Sequence, residues 1–438
     1  MDDTDGPTGG CTTFVLTEVV RAAEAAGADL IGEPRLVRLD PNVPWKTRGN
    51  GALSARFGRG RGPRRRLGTI GERPVWAYPR GAPLRPAESE RVVDAAWAAV
   101  REGSVPGPGT EPALVASRRR LPASLYWKAV RTVVPVEEVV DLLGRHGAEV
   151  RGEGRPRGLV GAAAAIAWAG GHPTWELLAY RSEGRIGTPR SVGSESVRAA
   201  QTRYPSLFLC HDARTRRLLV APHTDCPILF GLRSTDASVL PRAASIVRSE
   251  PVDRWLIFRT NQGTGDHASL VTIADLAPYS AGRIEGTVAS APRTGRGGHV
   301  RFELVDPRGT RATCLVFEPT KTLPGVARAL RFGDRVGLWG GRAEDAAFRV
   351  EGIVVRRLAP RRGSIGAPLC PHCGRRTASL GTSRGFRCPS CRRRYPPEFR
   401  RPGRAPPGLA LGVYHPTPSA RRHLAPRGPE AGGDGADL

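Results

Sequence analysis

Two pairs of cysteines near residue 380 constrain local folding more than any other feature of the chain. Cys370 and Cys373 form one C-x2-C pair, Cys388 and Cys391 form the other, and 14 residues separate them. Each pair can turn two thiolates toward one metal ion, and the separation suits a hairpin. Because sulfur would fill all four positions, the pattern predicts a structural four-cysteine zinc ribbon rather than a catalytic zinc site.

The charge balance predicts a polyanionic partner. The 438 residues include 67 Lys and Arg against 41 Asp and Glu, for a formal net charge of +26. Such an excess favours nucleic acid as the partner. Neither a run of 18 apolar residues nor a signal peptide is found, so we expect a cytoplasmic protein with no membrane association.

The start of the chain crowds carboxylates, glycines and hydroxyls before a helical pattern over Thr12–Gly27. Carboxylates are the ligands that Mg²⁺ prefers, and glycine backbone N–H groups can approach phosphate oxygens. The segment therefore predicts a metal–nucleotide site that opens a helix. The alternative is an acidic, disordered N-terminus before an ordinary Thr-capped helix. The residues that carry the pattern are Asp2, Asp3, Asp5, Gly9, Gly10, Thr12 and Thr13.

A basic, glycine-containing loop at residues 41–52 supplies cations that such a site needs. Lys46 and Arg48 are the natural partners of a phosphate chain, and Asn50 lies beside them. Phosphoryl transfer depends on cations around the phosphates more than on covalent chemistry by the protein. A solvated surface loop is the alternative.

Helical and strand patterns alternate over the first 278 residues, which predicts α/β and α+β units. One strand is predicted over Leu30–Leu39 and another over Trp255–Thr260, which a polar loop follows. The apolar segment Leu159–Trp168 fits either a buried strand or a helix. Over Ser280–Leu358, five strand-like runs, with a helix-compatible stretch before the fourth, resemble an OB-fold barrel; another small barrel is the alternative.

The acidic start, the basic loop and a tail ending in Arg421, Arg422, His423 and Leu424 resemble the archaeal tRNA(Ile) agmatidine synthetases, over nearly the whole chain. The resemblance implies an ATP-dependent ligase that joins agmatine to C2 of the wobble cytidine of CAU-anticodon tRNA(Ile). The reaction would pass through a phosphorylated intermediate and let the tRNA read AUA codons. The family has an apolar strand before the acidic block, whereas here only Met1 precedes it. We therefore expect a sheet without its first strand and a true start upstream.

The resemblance also implies roles for individual residues. Mg²⁺ would be held by Asp2, Asp3 and Asp5, and Thr12 matches the threonine that the family phosphorylates. In the predicted agmatine loop, Gly265 replaces the first of two acidic residues usual in the family. The predicted ATP-binding residues are Gly9, Gly10, Thr13, Lys46, Arg48 and Asn50, and the predicted agmatine-binding residues are Asn261, Gln262, Asp266 and His267.

The chain is predicted to be a multidomain α+β protein without an obligate protein partner. A non-catalytic OB-fold and zinc-ribbon nucleic-acid-binding protein is the main alternative, although it leaves the acidic start without a role. An RNA-modifying enzyme with another small-molecule donor is a further one. The predicted units are a kinase-like α/β nucleotide domain (1–130), an α+β domain (131–278) that the resemblance implies is ferredoxin-like, an OB-fold β-barrel (279–360), the zinc ribbon (365–400) and a basic, partly disordered tail (401–438).

Overall fold

The computed structural model describes most of the chain. Arg48, one of the predicted phosphate-binding residues, and residues 428–438 of the predicted disordered tail lie outside the described residues. No helix within the described part has the length and apolarity needed to cross a membrane. The described ranges are 1–46, 49–105, 107, 109–360, 362–364, 367–381, 383–399, 402–404 and 408–427.

The elements of the first 260 residues alternate between helix and strand. Up to residue 170 they are α1 (Thr12–Ala25), β1 (Asp29–Ile31), β2 (Arg35–Arg38), β3 (Gly51–Ser54), β4 (Phe57–Arg61), β5 (Arg65–Ile70), β6 (Arg73–Tyr78), β7 (Arg80–Ala82), α2 (Pro86–Gly103), β8 (Leu114–Ala116), α3 (Ala123–Ala129), α4 (Val136–Arg145), β9 (Glu149–Arg151) and α5 (Gly158–Ala167). They continue with β10 (Thr174–Tyr180), α6 (Ser194–Arg203), β11 (Leu207–Phe208), β12 (His211–Asp212), β13 (Arg217–Leu218), β14 (Ile228–Ser234), α7 (Leu240–Ile246) and β15 (Arg254–Thr260).

Strands dominate the rest of the described chain. Those of the third region are β16 (Ala281–Val288), β17 (Arg293–Thr294), β18 (Val300–Val305), β19 (Arg311–Val316), β20 (Arg335–Arg342) and β21 (Phe348–Arg357), with α8 (Leu323–Ala329) between β19 and β20. The last elements are β22 (Arg362–Ser364), β23 (Ala378–Ser379), β24 (Phe386–Arg387), β25 (Arg394–Tyr395), β26 (Pro402–Arg404) and β27 (Gly412–Tyr414).

One sheet of eleven strands joins the first and second regions. Its main path runs β11-β14-β10-β15-β5-β6-β1-β4-β7, and β2 pairs with both β15 and β3 beside it. β15 is antiparallel to β10 and β5 but parallel to β2. Strands from both sides of residue 130 therefore share one hydrogen-bonded sheet.

Helix α1 follows the predicted periodicity. Its buried side chains include Val15, Val19 and Ala23, which recur at the three- to four-residue spacing of one helical face. Val15 and Val19 pack in a core with strand residues such as Leu30 and Leu256, and Ala23 packs in a smaller cluster with Val92 of α2. The helix prediction is confirmed, and packing of this face fixes the position of the helix start.

Two local predictions need refinement. The strand expected over Leu30–Leu39 is two strands, because Gly32 has a φ of +70°, which breaks the extended backbone. The apolar segment Leu159–Trp168 is helix α5. Its alanines are almost completely buried, so periodicity alone could not separate a helix from a strand there.

A closed barrel of five strands forms the third region. Neighbouring strands pair in the order β16-β20-β21-β19-β18, and antiparallel pairing of β16 with β18 closes the ring. Fully buried apolar side chains such as Ile284, Phe302 and Leu338 fill it. The five strands and the helix before the fourth lie where the sequence pattern places them.

The chain after the barrel returns to the rest of the protein. β27 pairs with β21 of the barrel, and Leu424 is buried in a core that includes α3 and α5. Further backbone bonds join the tail to the loop after β15: Gly263 N donates to His423 O at 2.8 Å and Gly265 N donates to Leu424 O at 2.9 Å. Residues 408–427 are thus a packed element in the structure.

We expect Gly352→Ala to destabilise the barrel. A Cβ at residue 352 would lie 1.7 Å from Cζ2 of Trp339, a buried ring on the neighbouring strand. Overpacking of this kind costs about 1–3 kcal/mol, which thermal or urea unfolding would measure. Gly337→Ala is the matched control, because its Cβ would meet its nearest neighbours at 3.6 Å. Equal stability of the two variants would contradict the packing described here.

Candidate functional site

Met1 and Asp2 make the first backbone pairings of the chain, and α1 is its first regular element, as expected for a sheet without a strand before the acidic segment. The terminal ammonium of Met1 donates to Leu53 O at 2.9 Å, and Leu53 N donates to Met1 O at 3.0 Å. Asp2 exchanges backbone hydrogen bonds of 3.1 and 3.2 Å with Ala113. The two residues bridge β3 and the chain before β8, which places the acidic segment at the edge of the sheet.

The Asp2 side chain packs against helix α5. A Cβ on Gly161 would lie 1.8 Å from Asp2 Oδ2, so a side chain at this position of α5 would displace the carboxyl. Loss of hydration raises the pKa of Asp2 to about 7, and the neighbouring Asp3 carboxylate acts in the same direction. The site therefore crowds negative charge where water solvates it poorly.

Asp3 is held by the segment before β8. Its backbone is left-handed, with a φ of +59°, and its Oδ2 accepts a hydrogen bond of 3.1 Å from Glu111 N. Burial raises the pKa of Asp3, while this hydrogen bond and the charge of Arg157 act in the opposite direction. Arg157 pairs with the Glu111 carboxylate at 3.0 Å, which brings a cation close to the acidic segment.

Asp5 and Thr12 face each other at the start of α1. Thr12 Oγ1 donates to Asp5 Oδ1 at 3.3 Å, and only 8% of Thr12 is exposed. Cys11 precedes the helix and makes no side-chain cap that the structure describes, so the first-turn N–H groups lack the usual capping partner. Thr13 Oγ1 instead lies 3.0 Å from Cys11 Sγ. The predicted catalytic threonine and one predicted carboxylate are in contact.

A tight turn joins the acidic segment to α1. Gly6 and Gly9 exchange backbone hydrogen bonds of 3.0 and 3.2 Å. Gly10 has a φ of +84°, and a Cβ there would lie 2.8 Å from Val105 Cγ2. Both conformation and space favour glycine, and the turn brings the backbone of Gly9 and Gly10 beside the first turn of α1.

The basic loop is anchored on a buried carboxyl group. Asp40 is completely buried, its Oδ1 accepts from Asn42 N at 2.9 Å, and its Oδ2 has no partner among the described residues. Asn50 Nδ2 donates to Asp40 O at 3.0 Å, and Lys46 Nζ donates to Val43 O at 3.0 Å. Burial raises the pKa of Asp40 to about 7, against the hydrogen bonds from Asn42. Lys46 and Asn50 thus help to close the loop.

Asn261, the first residue after β15, is fully buried and fully engaged. Its Oδ1 accepts from Arg38 N at 2.7 Å, and its Nδ2 donates to Arg38 O at 2.9 Å and to the Tyr126 hydroxyl at 2.8 Å. The amide therefore continues the pairing of β15 with β2. This predicted agmatine-binding residue holds the start of its loop in place.

Gln262 lies in a chain of buried polar groups. Its Nε2 donates to the Glu176 carboxylate on β10, and its Oε1 lies 2.9 Å from Nδ1 of His423 in the tail. Glu176 also pairs with Arg233 of β14 at 2.9 Å. The second predicted loop residue is thus fixed from two strands and from the tail.

Asp266 and His267 face different neighbours. Asp266 accepts from the Tyr126 hydroxyl, and its backbone oxygen accepts from Arg131 Nε at 3.1 Å. His267 is fully buried, with Nε2 3.4 Å from Glu351 Oε2 of the barrel. Glu351 also pairs with Arg422 of the tail at 2.7 Å. The four predicted loop residues thus lie where strand, barrel and tail meet.

Arg38 binds the loop after β15 through its backbone, and its charge interacts with that of Asp5 in the acidic segment. Sequence reasoning did not identify this residue. Burial lowers its pKa, and Glu176 and Asp5 are among the carboxylates whose fields oppose that effect. The charge of Arg38 in turn lowers the pKa of His423 well below its usual value. The sequence assigned no role to Arg38, and it marked His423 only as part of the tail motif, because the partners of both residues come from distant parts of the chain.

The four cysteines converge as predicted. Cys370 Sγ lies 3.5 Å from Cys391 Sγ, Cys373 Sγ lies 3.4 Å from Cys388 Sγ, and all four sulfur atoms lie within 4.8 Å of one another. These separations suit a tetrahedral ion with metal–sulfur bonds of about 2.3 Å, as zinc forms with thiolates. The first pair precedes the short strand β23, and the second pair lies in the turn between β24 and β25.

Three family models match the chain in succession. The model described as "TiaS TCKD domain" matches residues 1–154, and "TiaS FLD domain" matches residues 156–267. "TiaS C-terminal zinc ribbon domain" matches residues 367–401. The acidic segment, the loop after β15 and the cysteines each lie inside a matched region.

Curated relatives match over nearly their whole length. The isoleucine-tRNA 2-agmatinylcytidine synthetase TiaS of Cenarchaeum symbiosum is 34% identical, with 97% of this chain and 90% of the relative covered. The protein of the same name from Methanopyrus kandleri is 35% identical, with 97% and 95% covered.

Solved structures match equally widely. The crystal structure of apo TiaS has a TM-score of 0.84 at 31% identity and covers 100% of this chain and 98% of that one. A complex of TiaS with its isoleucine tRNA and ATP has a TM-score of 0.79 at 32% identity, covering 97% and 94%. A complex of TiaS with the same tRNA, AMPCPP and agmatine has a TM-score of 0.76 at 29% identity, covering 99% and 97%.

The buried Asp40 predicts a specific pH dependence of stability. Its pKa is raised from 3.8 to about 7, so the folded protein keeps a proton that the unfolded chain loses near pH 4. Stability from this group is therefore greatest below pH 4 and falls until about pH 7. The difference in unfolding free energy between Asp40→Asn and wild type should therefore increase in favour of the variant from pH 4 to about pH 7, by at most about 4 kcal/mol. Above pH 7 the difference should stay constant.

Urea unfolding of wild type and Asp40→Asn at several pH values measures this difference. Asp141→Asn, a substitution on the exposed side of α4, serves as the control and should give no such trend. A difference between Asp40→Asn and wild type that does not vary with pH would show that Asp40 is ionised in the folded protein.

Proposed function

The chain belongs to the TiaS family of tRNA(Ile) 2-agmatinylcytidine synthetases, and we propose that it joins agmatine to its isoleucine tRNA at the expense of ATP. The observation that carries this function is the match to TiaS complexes with tRNA, ATP and agmatine across nearly the whole chain. The acidic segment and the start of α1 give a catalytic centre that a pure nucleic-acid-binding protein would not need. Because its substrate is tRNA, we place the enzyme in the cytoplasm, working without an obligate protein partner.

The proposed reaction replaces the C2 oxygen of the wobble cytidine by the agmatine amine. That oxygen is a poor leaving group until it carries a phosphoryl group from ATP. The agmatine ammonium group first loses a proton, and the neutral nitrogen then attacks C2. A C–N bond forms, the C2–O bond breaks as phosphate leaves with its electron pair, and the nitrogen releases a second proton. The cytidine must leave the anticodon stack to reach such a site.

We assign Mg²⁺ binding to the acidic segment formed by Asp2, Asp3 and Asp5. Burial and mutual repulsion already raise the pKa of Asp2 and Asp3, and a divalent cation would relieve both effects, so the donor set suits the ion. When bound, Mg²⁺ supplies charge neutralisation for the phosphates.

Thr12 is the proposed acceptor of a phosphoryl group. Its hydroxyl already donates to Asp5 Oδ1, so Asp5 orients the oxygen and can take its proton. The backbone of Gly9 and Gly10 and the first turn of α1 with Thr13 offer donors to the phosphates. Lys46, Arg48 and Asn50 complete the proposed phosphate-binding group.

The proposed agmatine pocket is the loop formed by residues 261–267. Agmatine is a dication, so its site needs carboxylates, and Asp266 is the loop residue of that kind. The bonds that fix Asn261 and Gln262 assign these two residues a positioning role, and His267 packs the loop against the barrel. Glu176 adds a second carboxylate beside the loop.

We further propose the sub-folds and their roles. The kinase-like part (1–130) and the ferredoxin-like part (131–278) carry the chemistry. The OB-fold barrel (279–360) and zinc ribbon (365–400) hold the body of the tRNA, and the described tail residues 408–427 join the barrel to the loop after β15. The positive charge of the ribbon supports this role, and its arginines are Arg375, Arg376, Arg384, Arg387 and Arg392–Arg394.

Mass analysis of the tRNA tests the proposed function. After incubation with ATP, Mg²⁺ and agmatine, the wobble cytidine of CAU-anticodon tRNA(Ile) should gain the mass of agmatine less water. Asp3→Ala removes a carboxylate of the proposed Mg²⁺ site, and Thr12→Ala removes the hydroxyl proposed to accept the phosphoryl group. Each variant should reduce product formation by at least about 100-fold without loss of tRNA binding. Thr8→Ala in the exposed turn is the control.

Two results would contradict this assignment. Tight tRNA binding by the wild type without product would favour a nucleic-acid-binding protein. Full product formation by Asp3→Ala would exclude the acidic segment from the reaction.

Cys388→Ser should remove bound zinc and weaken tRNA binding. Three sulfur ligands cannot close a structural zinc site, so the hairpin loses its fold and its arginines lose their placement. The affinity for tRNA should fall by about tenfold or more, with a shallower dependence on salt because fewer phosphates are contacted. Zinc content and binding titrations at several salt concentrations measure both effects, ATP binding should persist, and Ser390→Ala in the same turn is the control. Unchanged tRNA affinity after zinc loss would contradict the role of the ribbon.

A further inference from the structure

Trp45 is an exposed aromatic side chain with no role in the site described so far. It lies in the basic loop next to Lys46, and 48% of it is exposed to solvent. Tryptophan is one of the more highly buried residue types, so this exposure beside a catalytic segment needs an explanation.

Arg157 fixes the tryptophan from one side. Its guanidinium carbon lies 5.7 Å from the centroid of the Trp45 ring, within the range of a cation–π contact. The same guanidinium donates to Gly109 O at 3.0 Å and pairs with Glu111 at 3.0 Å. Its Nε is buried and has no hydrogen-bond partner among the described residues. The contacts with Gly109 and Glu111 hold the arginine in place before any substrate arrives.

The pair borders the acidic segment. Glu111, which pairs with Arg157, also donates its backbone N–H to Asp3 Oδ2 at 3.1 Å. An unbroken series of contacts thus runs from the Trp45 ring through Arg157 and Glu111 to Asp3. A planar group lying on the ring would thus be linked to the acidic segment through two intervening residues.

We propose that Trp45, held by Arg157, is a stacking platform for a nucleobase at the edge of the acidic segment. This inference rests on the proposed function, because both ATP and the target tRNA bring an unstacked base to that segment. Aromatic rings bind bases through their π faces, and the adjacent cations Lys46 and Arg157 suit the phosphate attached to the base. An uncharged protein partner would gain nothing from those cations.

Substitutions at Trp45 test the platform, with Trp76 as the matched control. Trp76 is also a partly exposed tryptophan under an arginine, with Arg64 4.5 Å from its ring centroid. It lies beside Glu24 and Gly27, at the end of α1 opposite the acidic segment. Trp45→Ala should weaken nucleobase-dependent binding about tenfold or more, Trp45→Phe should keep most of it, and Trp76→Ala should leave it unchanged.

Separate titrations identify the base. Full-length variants are titrated with ATP alone and with CAU-anticodon tRNA(Ile) alone, and thermal unfolding verifies that each is folded. If Trp45→Ala loses affinity for ATP alone, the ring stacks on adenine. If it loses affinity for tRNA alone, the ring stacks on a base of the anticodon loop. Unchanged affinity for both in Trp45→Ala, or an equal loss in Trp76→Ala, would overturn the proposal. Product formation by the wild type is measured separately, so failure of the ligase function is distinguishable from failure of the platform.

Discussion

The backbone pairing of β15 is the interaction on which the rest of the structure depends. This strand bonds along its whole length to β10, and parts of it also pair with β5 and β2. It therefore pairs with strands from distant parts of the chain, since Arg254 lies opposite Ile70 of β5 and Arg259 lies opposite Arg35 of β2. Asn261 extends the pairing with β2 by one side chain, so the loop that follows is fixed relative to the basic loop after β2. Without this ladder, the acidic segment and the loop would have no defined separation.

A buried polar network extends this fixed arrangement from the sheet to the loop after β15. Arg38, Glu176 and Arg233 place two cations and a carboxylate in the interior of a protein whose net charge is already strongly positive. Buried charges are costly unless they are paired, and each of these has a neighbour of opposite sign or a hydrogen-bond partner. Such a network contributes defined geometry more than net stability, because its desolvation cost offsets much of the attraction. This explains why so many polar groups around the loop after β15 are engaged with the protein itself.

The elements that could be predicted are those specified by nearby residues. The helix at Thr12, the five barrel strands and the four cysteines follow from local periodicity and spacing, and all three are present. By contrast, His423 meets Gln262 from 161 positions away, and Arg38 meets Asn261 from 223. No periodicity encodes such pairs. The expectation of a sheet without a strand before the acidic segment is confirmed, because α1 is the first regular element of the described chain and Asp2 makes an isolated bridge with Ala113. The ligand roles of the acidic segment and the loop stay predictions.

The tail described above has a consequence for how the protein comes into being on the ribosome. Residues before 270 emerge early and can begin to fold while the barrel is still being made, since synthesis runs from the N-terminus. The loop at Gly263 and Gly265, however, has backbone partners at His423 and Leu424. Those partners are synthesised much later, because His423 lies 161 positions after Gln262. The loop after β15 therefore lacks these backbone partners while the barrel and the zinc ribbon are being synthesised, and it reaches its final packing only when the tail has emerged.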